Sequence, residues 1–197
     1  MIAQPSRLRM SVEDYLTLDR NSVDIRYEYI DGYAYMMSGG TANHSTIGIN
    51  ITSLLSNLLR NGPCRVYNSD MKVHLYETRY VYPDATVSCN ENDRGNVETI
   101  QSPLLIVEVL SPGTEAYDRG DKFAYYRACP TIKEYVLVNT QRRIVEVYRR
   151  ARTNLWTLHL FEADDRVEFA SLNITFPIAE IYRYVDMPGE DLDNSPA

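Results

Sequence analysis

The chain has 197 residues, 44% of them hydrophobic and 24% charged, enough for one globular domain with a sizeable core. No apolar run approaches the roughly 20 residues that span a bilayer, and the opening "MIAQPSRLRMSVEDY" has no apolar core of a signal peptide. A net charge of −7 and a pI near 5.0 exclude a nonspecific basic coat for nucleic acid, while leaving room for an enzyme that meets a phosphodiester in one cleft.

A cytoplasmic protein without a membrane partner is therefore expected. Cys64, Cys89 and Cys129 are odd in number, widely spaced and without a CxxC. They predict reduced thiols rather than a zinc site or a disulfide framework. Sixteen tyrosines read as strand residues with one wet end.

In chain order, "SVEDYLTLDR" begins as a helix capped by Ser11, with Asp14 three positions on. Asp31-Gly32 inside "RYEYIDGYAYMMS" marks a hairpin. From His44 to Arg60, Ile47, Ile51, Leu54, Leu55, Leu58 and Leu59 recur at helical spacing until Asn61-Gly62-Pro63 stops them. Strands are expected in "CRVYNSDMKVHLY", "RYVYPDATVSC" and "PLLIVEVLSP", followed by a helix in "YDRGDKFAYYRAC" that Pro130 closes. Then "KEYVLVNT", "RIVEVYRR", "LWTLHLF" and "RVEFA" predict an antiparallel meander.

The order predicts a mixed α/β domain around one sheet, with a parallel crossover between the 104–110 and 133–139 strands. One domain over residues 1–185 is expected, and 186–197 read as a disordered acidic tail.

Three acids are out of place for strands. Glu108 interrupts the apolar run Leu104–Leu110, where an ionised carboxylate costs several kcal/mol unless compensated. Asp84 follows Pro83, which disturbs a strand ladder, and Glu28 sits between Tyr27 and Tyr29. If two of these converge, a hard cation such as Mg²⁺ is the natural partner, since it takes one or two carboxylates with waters and phosphate oxygens. Asp118, Lys122 and Tyr126 are spaced i, i+4, i+8 on one helix face. Lys122 could neutralise charge developing on phosphate, or Asp118 and Lys122 could form a plain surface pair. No serine or cysteine sits in a nucleophile motif, and "MSGGTAN" lacks the lysine and spacing of a phosphate loop. The arginine-rich "QRRIVEVYRRAR" could contact phosphate or form the wet face of a strand pair.

Together "YEYIDG", the helix opening at His44, "YPD", "VEVLSPGT", "DRGDKFAYYR" and "EYVLV" resemble, in the same order, the Uma-two family of bacterial restriction endonucleases, formerly a domain of unknown function. The resemblance runs from about Ser11 to Pro177. It implies a PD-(D/E)xK fold: a restriction-endonuclease-like core of mixed sheet with flanking helices and antiparallel strand additions, holding metal at a bend in the sheet. By resemblance, Asp84 and Glu108 are the metal ligands, the carbonyl of Val109 completes the coordination, and Glu28 is the upstream acid that assists.

The motif wants lysine where this chain has Leu110; Lys122 matches a lysine relocated to the following helix. His44 and Asp70 match polar positions without an assigned role, and Tyr126 lies nearby. Val136 and Asn139 depart from the family's frequent tryptophan and aspartate. The implied activity is an endonuclease that hydrolyses DNA with Mg²⁺ or Mn²⁺ and a metal-activated water. A homodimer is expected by analogy with symmetric sites that meet two strands. The alternative is a catalytically inactive nuclease-fold module binding nucleic acid or a protein partner, with Glu108 ion-paired to Lys122 and no cation.

Overall fold

The computed structural model describes residues 7–37, 39–76, 78–152 and 154–188. β1 (Arg7–Arg9) precedes α1 (Val12–Asn21). Ser11 caps that helix: its Oγ accepts the Asp14 N–H at 3.1 Å and its hydroxyl donates to the Asp14 carboxylate at 2.7 Å. β2 (Tyr27–Ile30) and β3 (Tyr33–Met36) form the expected hairpin. Its turn residues Asp31 and Gly32 have φ of 49° and 95°, the positive values that a type I′ turn requires and that glycine adopts without a Cβ penalty.

α2 (Ala42–Leu59) starts at the Thr41 cap. It buries Ile47, Ile51, Leu55 and Leu59, each contributing about 2 kcal/mol by leaving water. Leu58, at the rim of that stripe, stays exposed.

β4 (Arg65–Asn68), β5 (Lys72–Tyr76), β6 (Arg79–Val81), β7 (Ala85–Ser88), β8 (Thr99–Ile100) and β9 (Leu105–Leu110) follow. α3 (Glu115–Tyr117) continues through a π-helical turn, Asp118–Lys122, into α4 (Phe123–Ala128). The chain then lays down β10 (Glu134–Asn139), β11 (Val145–Arg152), β12 (Leu155–Phe161), β13 (Arg166–Phe169) and β14 (Ile174–Pro177).

The fold is mixed α+β, as expected, but the strands divide between two six-stranded sheets rather than one: β1-β3-β2-β6-β5-β8 and β12-β11-β10-β9-β7-β4. The physical reason lies in "YVYPDATV". Pro83 has no N–H for a ladder, so the strand leaves the first sheet after β6 and enters the second at β7. β9 and β10 pair in parallel, from Leu105↔Glu134 to Leu110↔Asn139, across the crossover built by α3, the π turn and α4. The meander holds for β10, β11 and β12, but β13 leaves it and pairs with β14.

Both faces of β9 and β10 are covered. Val107, Val109, Val136 and Val138 join the core cluster that holds the buried side of α2, with Phe169 and Phe176. Ile106, Leu110, Tyr135 and Leu137 pack with Tyr126, Ile132, Val73 and Ile100. Glu108 lies between Ile106 and Leu110 on that same face and so faces the crossover and the first sheet.

Cys64 and Cys89 form a disulfide, which corrects the expectation of three thiols. They flank the paired residues Arg65 and Ser88 at one end of β4 and β7, so strand register brings together two cysteines that sequence spacing keeps apart. Cys129 is free and buried. Met187 packs in the core, and the rest of the segment read as a tail, from 189 on, lies outside the described residues. No helix among the described residues is long and apolar enough to cross a membrane.

Candidate active site

The site begins where two neighbouring strands part. β7 and β9 pair antiparallel at Val87↔Leu105, Thr86↔Ile106 and Ala85↔Val107. One more step of that register would set Asp84 opposite Glu108, but Pro83 ends the ladder. The Asp84 side chain takes over: its Oδ2 accepts the Val109 N–H at 2.7 Å. Asp84 is thereby fixed beside the Glu108–Val109 segment. From the first turn of α2, His44 brings its Nε2 to 3.5 Å from the same Oδ2. Asp84 raises the His44 pKa, burial opposes it, and the Val109 backbone adds to the rise.

Glu108 is buried, and its Oε1 accepts hydrogen bonds from Lys122 Nζ at 3.0 Å and the Tyr126 hydroxyl at 2.5 Å. Lys122 also lies 3.1 Å from Glu28 Oε1 and 3.7 Å from Asp118 Oδ1. Glu28 comes from the first sheet and also accepts the Tyr82 N–H at 3.3 Å. Four carboxylates (Glu28, Asp84, Glu108, Asp118) thus surround one lysine and one histidine.

Burial pushes Glu108 up to about 8, with Lys122 pulling it down and Asp118, Asp84 and Glu28 adding to the rise. Burial also raises Asp118, again against Lys122. For Lys122 burial works the other way, yet Glu108, Glu28 and Asp118 together hold its pKa well above the usual value. Lys122 is therefore a fixed cation among acids that burial pushes toward their neutral forms.

Their spacing of four lets one helix contribute both Asp118 and Lys122, here through the π turn. Each is buried, 3% and 6% exposed, which rules out the plain surface pair. The wider turn, of a kind frequent at functional sites, is pinned where the Tyr135 hydroxyl donates to the Asp118 carbonyl at 3.0 Å.

The structure therefore brings together Asp84, Glu108, Lys122, Glu28, His44, Tyr126 and the Val109 backbone. It does not bring Asp70, which lies in the exposed turn after β4 and contacts Asn68 and Arg26. Asp118 was absent from the candidate set. Its spacing of four from Lys122 was the available signal, outweighed by the commoner surface pair.

Among the described residues no three His, Cys, Asp or Glu side chains form a ready metal cage. The donor set still suits a hard cation that takes one or two carboxylates and keeps its waters. Asp84 and Glu108 offer carboxylate oxygens, with the His44 imidazole beside Asp84 and the Lys122 ammonium beside Glu108. Two acidic oxygen donors on neighbouring strands are the chemistry a hard divalent ion fits.

Two mixed sheets joined by a strand that crosses between them at a Pro-Asp step make up the fold. It is shared with a solved chain of Anabaena variabilis described as "a putative nuclease belonging to DUF820", at a TM-score of 0.70 and 18% identity, over 88% of this chain and 97% of that one. The family model Uma2, "Putative restriction endonuclease", matches residues 12–179, and the chain belongs to that family. Two relatives come from Synechocystis. Uncharacterized protein slr1290 is 38% identical over 89% of this chain and 92% of its own length. Uncharacterized protein sll1609 is 28% identical over 84% and 95%.

Proposed function

We propose that this protein is a metal-dependent endonuclease that hydrolyses DNA phosphodiester bonds. The observation that carries the reading is the meeting of Asp84 and Glu108 where β7 and β9 part, with Lys122 delivered to Glu108 from the following helix. Asp84 and Glu108 would hold Mg²⁺ or Mn²⁺, helped by the Val109 carbonyl and Glu28. Such a cation polarises a phosphoryl oxygen and lowers the pKa of bound water.

The chain's own residues do the rest. Lys122 stays protonated at any physiological pH because three carboxylates hold its proton, so it offers a permanent positive charge to a phosphate entering the site. Tyr126 and Lys122 both grip Glu108 Oε1, which leaves the second carboxylate oxygen as the free donor. His44, a quarter exposed or less at its side chain, stands at the entrance beside Asp84 and can accept or give a proton there.

Titration calorimetry with Mn²⁺ and a plasmid-nicking assay, each on wild type and Glu108→Ala, test the proposal. Binding and nicking by wild type, both lost in the variant, are expected. Absence of Mn²⁺ binding by folded wild-type protein at millimolar metal overturns it.

One observation favours a second reading. Glu108 is already neutralised by Lys122 and hydrogen-bonded by Tyr126, as an inactive nuclease-fold module binding nucleic acid or a protein partner would have it. Fold alone does not carry activity. In that case the ion pair is the final state of the site, and the calorimetry gives no heat of metal binding.

A further inference from the structure

β12 is an outer strand of the second sheet; among the described residues it pairs only with β11. Bonds on the far side of β11 fix which of its groups face outward. The Arg150 N–H donates to the Lys133 carbonyl and the Asn139 N–H to the Ile144 carbonyl, so the even-numbered residues of β11 bond to β10. Its odd-numbered residues therefore bond to β12, in the pairs Val145↔Phe161, Val147↔His159 and Arg149↔Thr157. The N–H and C=O groups of Trp156, Leu158 and Leu160 consequently point away from the sheet.

This edge is unguarded. Its sequence, "LWTLHLF", has no Lys, Arg, Asp, Glu or Pro, and Leu155, Leu158 and Leu160 are each 52% exposed. Two other outer strands carry arginine, Arg9 in β1 and Arg65 in β4. A seven-residue edge of mostly apolar, uncharged residues, unpaired among the described residues, is a template for another strand.

We propose that β12 pairs antiparallel with β12 of a second copy of this chain, about a two-fold axis at Leu158. The sequence is complementary to itself in that register. Leu158 meets Leu158 of the partner subunit, Trp156 meets Leu160 of the partner subunit, Thr157 meets His159 of the partner subunit, and Leu155 meets Phe161 of the partner subunit. Apolar lies against apolar and polar against polar at every step. The outward-bonding residues also fall opposite one another, so each pair among Trp156, Leu158 and Leu160 exchanges two main-chain bonds.

Neighbouring registers fail. An axis at Thr157 sets Leu155 against His159 and Leu160 against Asn154, and an axis at His159 sets Trp156 against Glu162 and Thr157 against Phe161. An axis at Leu160 sets Leu158 against Glu162. A strand of another protein could use the edge, but a pattern that reads alike in both directions fits a symmetric, isologous contact. The dimer joins two six-stranded sheets into one and stands whether or not the site cuts DNA.

Light scattering after size exclusion, on the full chain across the micromolar range, tests the pairing. Wild type is expected to be a dimer. Leu158→Lys places two ammonium groups on the axis and weakens association by about a hundredfold or more. Its circular dichroism should match wild type, because Leu158 is half exposed. Leu58→Lys, at an exposed leucine on α2, should leave the dimer intact.

Trp156 is the only tryptophan, so wild-type emission should shift to the blue as concentration rises, a readout that needs no variant. A wild type that stays monomeric with concentration-independent emission overturns the proposal. So does a dimer that persists in folded Leu158→Lys.

Discussion

Asp84 accepts the Val109 N–H at 2.7 Å, so a side chain replaces the main chain at the point where the β7–β9 ladder ends. The same oxygen faces His44. One carboxylate thus closes the sheet and opens the site, and the two roles separate by substitution. Asp84→Asn keeps an acceptor for Val109 but loses the charge. It should unfold within about 1 kcal/mol of wild type in urea while binding Mn²⁺ at least about tenfold more weakly. Asp84→Ala should lose both, with an added cost of about 1–3 kcal/mol for the unpaired N–H. Equal metal affinity in wild type and Asp84→Asn removes Asp84 from the ligand set.

Lys122 is the counter-ion of three buried acids. Lys122→Met leaves them uncompensated and should cost about 3–5 kcal/mol in the metal-free protein. If a divalent cation belongs there, saturating Mn²⁺ should restore part of that loss, read as a rise in the variant's urea midpoint larger than the rise in wild type.

Metal affinity should depend on pH through Glu108. Its pKa is raised to about 8 by burial, from an ordinary value of 4.5, so below about 8 a proton must leave before the carboxylate can serve as a ligand. Affinity should therefore climb as pH rises, by up to about tenfold per unit below that value, and level off above it. Calorimetry in two buffers of different ionisation heat should show the released proton at pH 7 and not at pH 9. A flat profile would mean that Glu108 is already ionised in the free protein.

The Cys64–Cys89 bridge spans a sequence separation of 25. A loop of that length is worth roughly 3 kcal/mol through the unfolded chain. Cys64→Ser, or wild type in dithiothreitol, should lose about that much in thermal or urea unfolding. Thiol titration of the unreduced, unfolded protein should count one group, Cys129. Three titratable thiols in air-oxidised protein would show that the bridge does not form.

Much of the site was legible because buried charge is conspicuous. Glu108 stood out in an apolar run, Asp84 behind a proline, and Lys122 at helical distance from Asp118 and Tyr126. The α1 cap, the Asp31–Gly32 hairpin and the parallel crossover are local or periodic features, and each is present. The second sheet was hidden because a strand that crosses between sheets reads like one that continues. The disulfide was hidden because cross-strand register, not spacing, joins Cys64 to Cys89. Asp70 matched a polar position by order alone, and its exposed turn sends it to Arg26 instead.

The π turn at Asp118–Lys122 has a bearing on how such a site could change over generations. A π turn is an α-helix with one residue inserted, so a single-codon deletion near Gly120 would return the segment to α-helical winding. The spacing between Asp118 and Lys122 would fall from four to three, and an α-helix still holds residues three apart on one face. The segment can thus change its winding by one residue while the acid and the lysine stay neighbours, with neither of them substituted.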